Sequence, residues 1–123
     1  MTYTFEWMVP NRVLKAVIPS LFDDARAKEY DKDVLSYLNK AEKPLYVIVD
    51  LRQVRVHPAI TTILGWQHLR HPMMKEVILV GLSTSPLVRF IANTVTKVIG
   101  LRLRGALDIE EALALATKVQ DPS

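Results

Sequence analysis

In this 123-residue chain, the residues whose type and spacing could do chemistry are two histidines and three pairs of acids. His68-x-x-His71 sets two imidazoles one helical turn apart, close enough to share an ion. Pro72 follows at once and ends any helix there. With no cysteine in the chain and Glu76 as the nearest third ligand, the expectation is no metal site and two surface histidines at a helix C-terminus. The pairs Asp23/Asp24, Asp31/Asp33 and Glu110/Glu111 fall in the early turns of helices or on an exposed face, where solvated acids suit the helix dipole better than an acid/base dyad. No Gly-x-Ser-x-Gly elbow and no Cys–His pair is present. The expectation is a protein that is not an enzyme and uses no cofactor.

Anion chemistry remains. Gly81-Leu82-Ser83-Thr84-Ser85-Pro86 is a strand-to-helix loop with three hydroxyls at a helix N-terminus, a place where oriented N–H groups can hold an anion. Ser83, Thr84, Ser85 and Arg89 are therefore one candidate site, for a small apolar or anionic-headed ligand. Capping by Ser85 is the plainer account of the same residues. Charge points the same way. The formal net charge is +3, and between Arg52 and Arg104 eight basic residues face a single acid, Glu76. That imbalance favours an acidic partner. Nucleic acid ranks low, because aromatics are few and the basic residues are spread over several elements.

The elements that must position these residues read as β-β-α-β-α-β-α-β-α, a single α/β domain over residues 1–119 with a frayed tail at 120–123. Tyr3–Met8 and Arg12–Ile18 are strands joined by the turn Val9-Pro10-Asn11. Ser20-x-x-Asp23 reads as a capping box opening a helix to about Leu38. Leu45–Val49 and Val77–Val80 are continuous apolar runs, the pattern of strands covered on both faces. Pro58 opens a helix to about Arg70, and Pro86 opens another to Ile99, closed by Gly100. Arg102–Ala106 is the last strand, and Asp108-x-x-Glu111 caps the last helix. Strands alternating with helices imply a mixed, mostly parallel sheet with helices packed against it.

This order, with Val47-Ile48-Val49-Asp50-Leu51, the loop to Pro58, the strand Val77–Val80 and Asp108-Ile109-Glu110-Glu111-Ala112-Leu113, resembles the STAS family of anti-sigma-factor antagonists and their relatives. The resemblance implies a STAS-like fold, a bacterial source and a signalling role in binding. It also shows a departure. Many members carry Asp-Ser-Ser-Gly after that strand, with the first Ser phosphorylated; here the aligned residues are Pro58-Ala59-Ile60-Thr61, so Ala59 stands at the phosphoacceptor position. Thr61 and Thr62, a turn further in, are the alternative acceptors.

The expected function is a non-enzymatic regulatory or scaffolding module that binds a protein partner with an acidic surface, or itself as a homodimer. On the Pro58–Arg70 helix, Trp66 and Leu69 point away from the face made by Ile60, Ile63 and Leu64. They are the expected apolar anchors, with Arg52, Arg55 and Arg89 supplying steering and register. The first residues carry no signal-peptide pattern, and no apolar run approaches the roughly 20 residues of a membrane span, so a soluble cytoplasmic protein is expected.

Overall fold

A computed structural model describes residues 4–81 and 86–120. Five strands form one sheet in the order β1-β2-β3-β4-β5. These are β1 (Thr4–Val9), β2 (Val13–Val17), β3 (Leu45–Asp50), β4 (Met74–Val80) and β5 (Leu103–Ala106). β1 pairs antiparallel with β2, and every later pair is parallel. The β1–β2 turn holds Asn11 at φ 60°, a left-handed position that Asn tolerates better than most side chains.

Four helices cover the sheet: α1 (Asp24–Lys40), α2 (Ile60–Leu64), α3 (Pro86–Ile99) and α4 (Ile109–Gln120). Alternation along the strands divides the core in two. Val47, Val49, Val77 and Leu79 pack with residues of α1, α2 and α3, whereas Tyr46, Ile48, Ile78 and Val80 pack with Ala112 and Ala116 of α4. With both faces covered, every residue of β3 is buried, which is why its sequence is uniformly apolar until Asp50.

The expected α/β architecture holds, and three boundaries move. The first helix begins at Asp24, not Ser20: Asp23 is the N-cap, its side chain accepting from Arg26 N at 3.0 Å. Ser20 serves instead through its carbonyl, which accepts from Arg55 N and Val56 N at 2.9 Å each. β4 starts three residues earlier than its apolar run. The third change matters most for function. The helix expected from Pro58 to Arg70 is one turn, α2, followed by a separate 3-10 turn at His68–Arg70. The amides of Gln67 and His68, which would have continued the helix, are captured by the Asp31 carboxylate at 3.1 and 2.9 Å. At the other end of the chain the expected cap forms, with Glu111 N donating to Asp108 Oδ1 and Glu111 Oε1 accepting from Leu107 N, both at 2.8 Å.

Candidate functional site

Strands β2 to β5 run parallel, so the connections that leave their carboxyl ends share one edge of the sheet, where ligands and partners of open α/β sheets usually bind. Asp50 closes β3 there and is buried. Arg52 folds back over it: Nε donates to Oδ1 at 3.0 Å, Nη2 to Oδ2 at 2.9 Å, and the Arg52 amide to Oδ1 at 3.1 Å. Burial pushes the Asp50 carboxyl up, but these hydrogen bonds outweigh it and hold the group below the usual carboxylate range. Gly81, at the end of β4, lies under the same arginine with φ +93°. A methyl group there would come within 3.0 to 3.2 Å of Arg52 Cγ, N and Cα.

The loop after β3 is fastened to the connection before α1. Leu21 and Val56 form an isolated parallel bridge, and Phe22 N donates to Val56 O at 2.9 Å. Two acids of α1 fasten the segment around α2. Asp24 Oδ1 accepts from Ala59 N at 2.9 Å and Thr62 Oγ1 at 3.0 Å. Asp31 takes the Gln67 and His68 amides and, at 2.7 Å, His68 Nδ1. A carboxylate only accepts, so Nδ1 carries the proton. Burial holds the His68 imidazole below its usual pKa, against the opposing pull of Asp31, and it is neutral at pH 7.

These contacts correct several expectations. Asp31 is no solvated helix acid, and His68 is no surface histidine, being 2% exposed. His71 is half-buried, its Nδ1 accepting from Met73 N at 3.0 Å and its Nε2 lying 2.9 Å from Asn39 Oδ1. Leu69 is buried in the core. Trp66 turns inward, its Nε1 donating to Ala27 O at 3.0 Å and its ring packing at 5.3 Å from Tyr30 and 5.0 Å from His68. Leu69 is withdrawn from the surface and Trp66 is half-buried, because breaking the helix at Gly65 rotates both away from the faces a continuous helix would give them. Glu76, named as a third metal ligand, is buried toward the amino end of β4, with Oε1 accepting from Arg104 Nη2 at 2.9 Å and Oε2 beside Arg104 and Arg102. Among the described residues no group of three or more His, Asp or Glu could hold a metal.

The basic surplus of residues 52–104 therefore divides. Arg102 and Arg104 gather around Glu76, Arg52 belongs to Asp50, and Arg55, Arg70, Lys75, Arg89 and Lys97 are exposed with no ion pair among the described residues. Arg55 and Arg89 lie on the same connections or helices at the carboxyl edge as Val56 and Phe90 (60%), two of five large apolar side chains exposed among the described residues; Leu21 and Leu107 (75%) follow β2 and β5 at this edge, and Val98 lies near the far end of α3. Phe90 lies four residues, about 6 Å of rise, into the helix that follows β4. Sequence reasoning named Arg55 and Arg89 but not the four apolar residues, which follow four different strands; the parallel sheet places those strand ends on one edge, and Leu21 and Val56 form a bridge there. Thr61 is exposed, and the hydroxyl of Thr62 is engaged by Asp24. Ser83, Thr84 and Ser85 lie outside the described residues. No described helix is long and apolar enough to cross a membrane.

No family model and no curated protein matches the chain. Solved structures do. An uncharacterised protein of the DUF3478 family with a SpoIIAA-like fold, from Shewanella loihica, aligns at TM-score 0.66 and 13% identity over 94% of this chain and 92% of that one. The Bacillus cell fate determinant SpoIIAA in its phosphorylated form aligns at 0.64 and 15% identity, covering 93% and 98%. An anti-sigma-factor antagonist (STAS) domain protein from Planctomyces limnophilus aligns at 0.63 and 17% identity, covering 94% and 99%. The chain has the SpoIIAA/STAS-like fold.

Proposed function

We propose that this chain is a non-enzymatic regulatory module of the anti-sigma-factor-antagonist type, binding a protein partner through the carboxyl edge of its sheet. The observation that carries the reading is the exposure of Leu21, Val56, Phe90 and Leu107 on connections that share this edge with the exposed Arg55 and Arg89. Apolar side chains with arginine at their border are the composition of a recognition surface. The partner it fits offers an apolar patch with acidic residues at its rim, and such charges mainly raise the association rate and the selectivity.

The fold supports the class, since two of the similar structures are SpoIIAA and an anti-sigma-factor antagonist. Ala59 at the aligned phosphoacceptor position leaves binding without the usual seryl switch, and Ala59 N is held by Asp24 instead. The sequence-based anchors Trp66 and Leu69 are replaced in this reading by Leu21, Val56, Phe90 and Leu107.

The test is quantitative co-purification from the source cell with the wild type and with an Arg55→Glu/Phe90→Ser variant, both shown to melt at the same temperature. Arg52 is left alone because it is the counterion of buried Asp50. A partner held by the wild type and reduced at least about tenfold by the variant is the expected result, as truncating interface anchors commonly produces. Equal recovery with both proteins overturns the reading. Sedimentation of the two proteins alone reports whether the partner is a second copy of the chain.

A further inference from the structure

Beneath the edge, between one face of the sheet and the helices α1, α2 and α3, the core is not filled. A cavity of about 110 Å³ remains there. Val49 and Leu79 of the central strands wall it on the sheet side, Ile91, Ala92 and Val95 of α3 on the helix side, and Trp66 beside α1. Voids larger than a water molecule are few in a close-packed domain. This one is held open by bonds outside it. Trp66 Nε1 donates to Ala27 O, the next two amides donate to Asp31, and Ala59 N at the start of α2 donates to Asp24. The segment over the cavity is thereby pinned to α1, and moving it inward would strip these donors of their partners. From the other side, α3 presents only the methyl group of Ala92 where a longer side chain would fill the space.

The chemistry of the wall specifies what fits. No Lys, Arg, Asp or Glu is among the described lining residues, and its surface is carbon almost throughout. The Trp66 N–H and His68 Nδ1 are both spent on α1, at 3.0 and 2.7 Å. Water needs about two to four polar partners to settle in such a space, whereas an apolar cavity of about 150 Å³ stays dry and takes up a single aromatic ring. We propose that this cavity is a binding site for a small, wholly apolar molecule or group: a single hydrocarbon ring or a short alkyl chain. The gain is the apolar surface removed from water. A hydroxyl group loses its hydrogen bonds to water and finds none in return, and a carboxylate loses more. The site is separate from the carboxyl-edge surface and does not rest on that reading.

The experiment uses the intact chain, with its Ala, Ile, Leu and Val methyl groups labelled with 13C, titrated at pH 7.5 with benzene, phenol and benzoate. Methyl spectra locate the probe, and the melting temperature is followed in parallel. Benzene is expected to shift the methyl resonances of Val49, Leu79, Ile91, Ala92 and Val95, to leave those of exposed Val56 and Leu107 in place, and to raise the melting temperature. Phenol is expected to bind at least about fivefold more weakly, the cost of a hydroxyl buried without a partner, and benzoate to do nothing. Ala92→Leu, which occupies the cavity, abolishes the benzene effect. No response to benzene, equal or tighter binding of phenol or benzoate, shifts confined to the exposed methyl groups, or unchanged benzene binding in a folded Ala92→Leu variant each overturn the proposal. The methyl resonances of the wild type decide the matter even where the variant fails to fold.

Discussion

His68 Nδ1 stands 2.7 Å from Asp31 Oδ1, and the pair ties the turn after α2 to the middle of α1 across 37 residues of sequence. Besides the ring proton, the same carboxylate takes two backbone amides. The segment that carries Trp66, His68 and Leu69 into the core is therefore set by one acid on a neighbouring helix, not by its own helical propensity.

This pair makes stability depend on pH in a stated direction. Burial outweighs the pull of Asp31 and lowers the folded-state pKa of His68, so the unfolded chain takes up a proton that the native one resists. Stability is then complete above the unfolded imidazole pKa of about 6.5 and falls as pH drops below it, by up to about 1.4 kcal/mol per pH unit for one proton. Asp31 adds a second loss further down. Burial raises its pKa, the hydrogen bonds from His68 and Gln67 outweigh that and hold it low, and this contribution disappears in the acid range below the usual carboxylate value. Urea midpoints measured from pH 8 to pH 4 are expected to be flat above about pH 7 and to decline below it. A midpoint that stays level down to pH 5 contradicts the buried neutral imidazole.

Trp66 gives a second prediction. Read as a continuation of the helix after Pro58, it points outward and its loss would spare the fold. In the structure its ring packs on Phe22, Tyr30 and His68 and its N–H is bonded to Ala27 O. Trp66→Ala is expected to destabilise the domain by about 3 kcal/mol, the lower end for removing a large aromatic from a core, since the residue is half-buried. Chemical denaturation of the variant decides it, and a loss below about 1 kcal/mol would place Trp66 outside the core after all.

The contrast shows where sequence reasoning reached and where it stopped. Signals that are local and repeated were legible: the apolar runs Leu45–Val49 and Val77–Val80, the Asp108/Glu111 cap, and Pro86 and Gly100 bounding α3. Helical angle arithmetic for Trp66 and Leu69 failed because it assumed that the helix continues, and the competitor for its amides, Asp31, lies far away in sequence. One sequence trace of that competition exists. Asp24 and Asp31 are seven residues apart, two turns on one face of α1, and both accept from the segment around α2. The exposed set at the carboxyl edge had no such trace, since Leu21, Val56, Phe90 and Leu107 belong to four different connections or their adjoining helices.

The last prediction separates two contributions at glycine. Gly81 and Gly100 both sit at positive φ, +93° and +81°, and an alanine at either strains the backbone by about 1–2 kcal/mol. Their surroundings differ. A methyl group at Gly100 meets nothing within 4 Å, whereas one at Gly81 meets the backbone and Cγ of Arg52 at 3.0 to 3.2 Å. The Arg52 backbone cannot move aside cheaply, because its amide and guanidinium are both bonded to buried Asp50. Gly100→Ala is therefore expected to cost the strain alone, and Gly81→Ala at least about 1 kcal/mol more, in the range of overpacking effects. Urea denaturation of the two variants side by side measures the difference. Equal losses would mean that Arg52 is free to shift, and with it that the Asp50–Arg52 pair does not fix the geometry of the carboxyl edge.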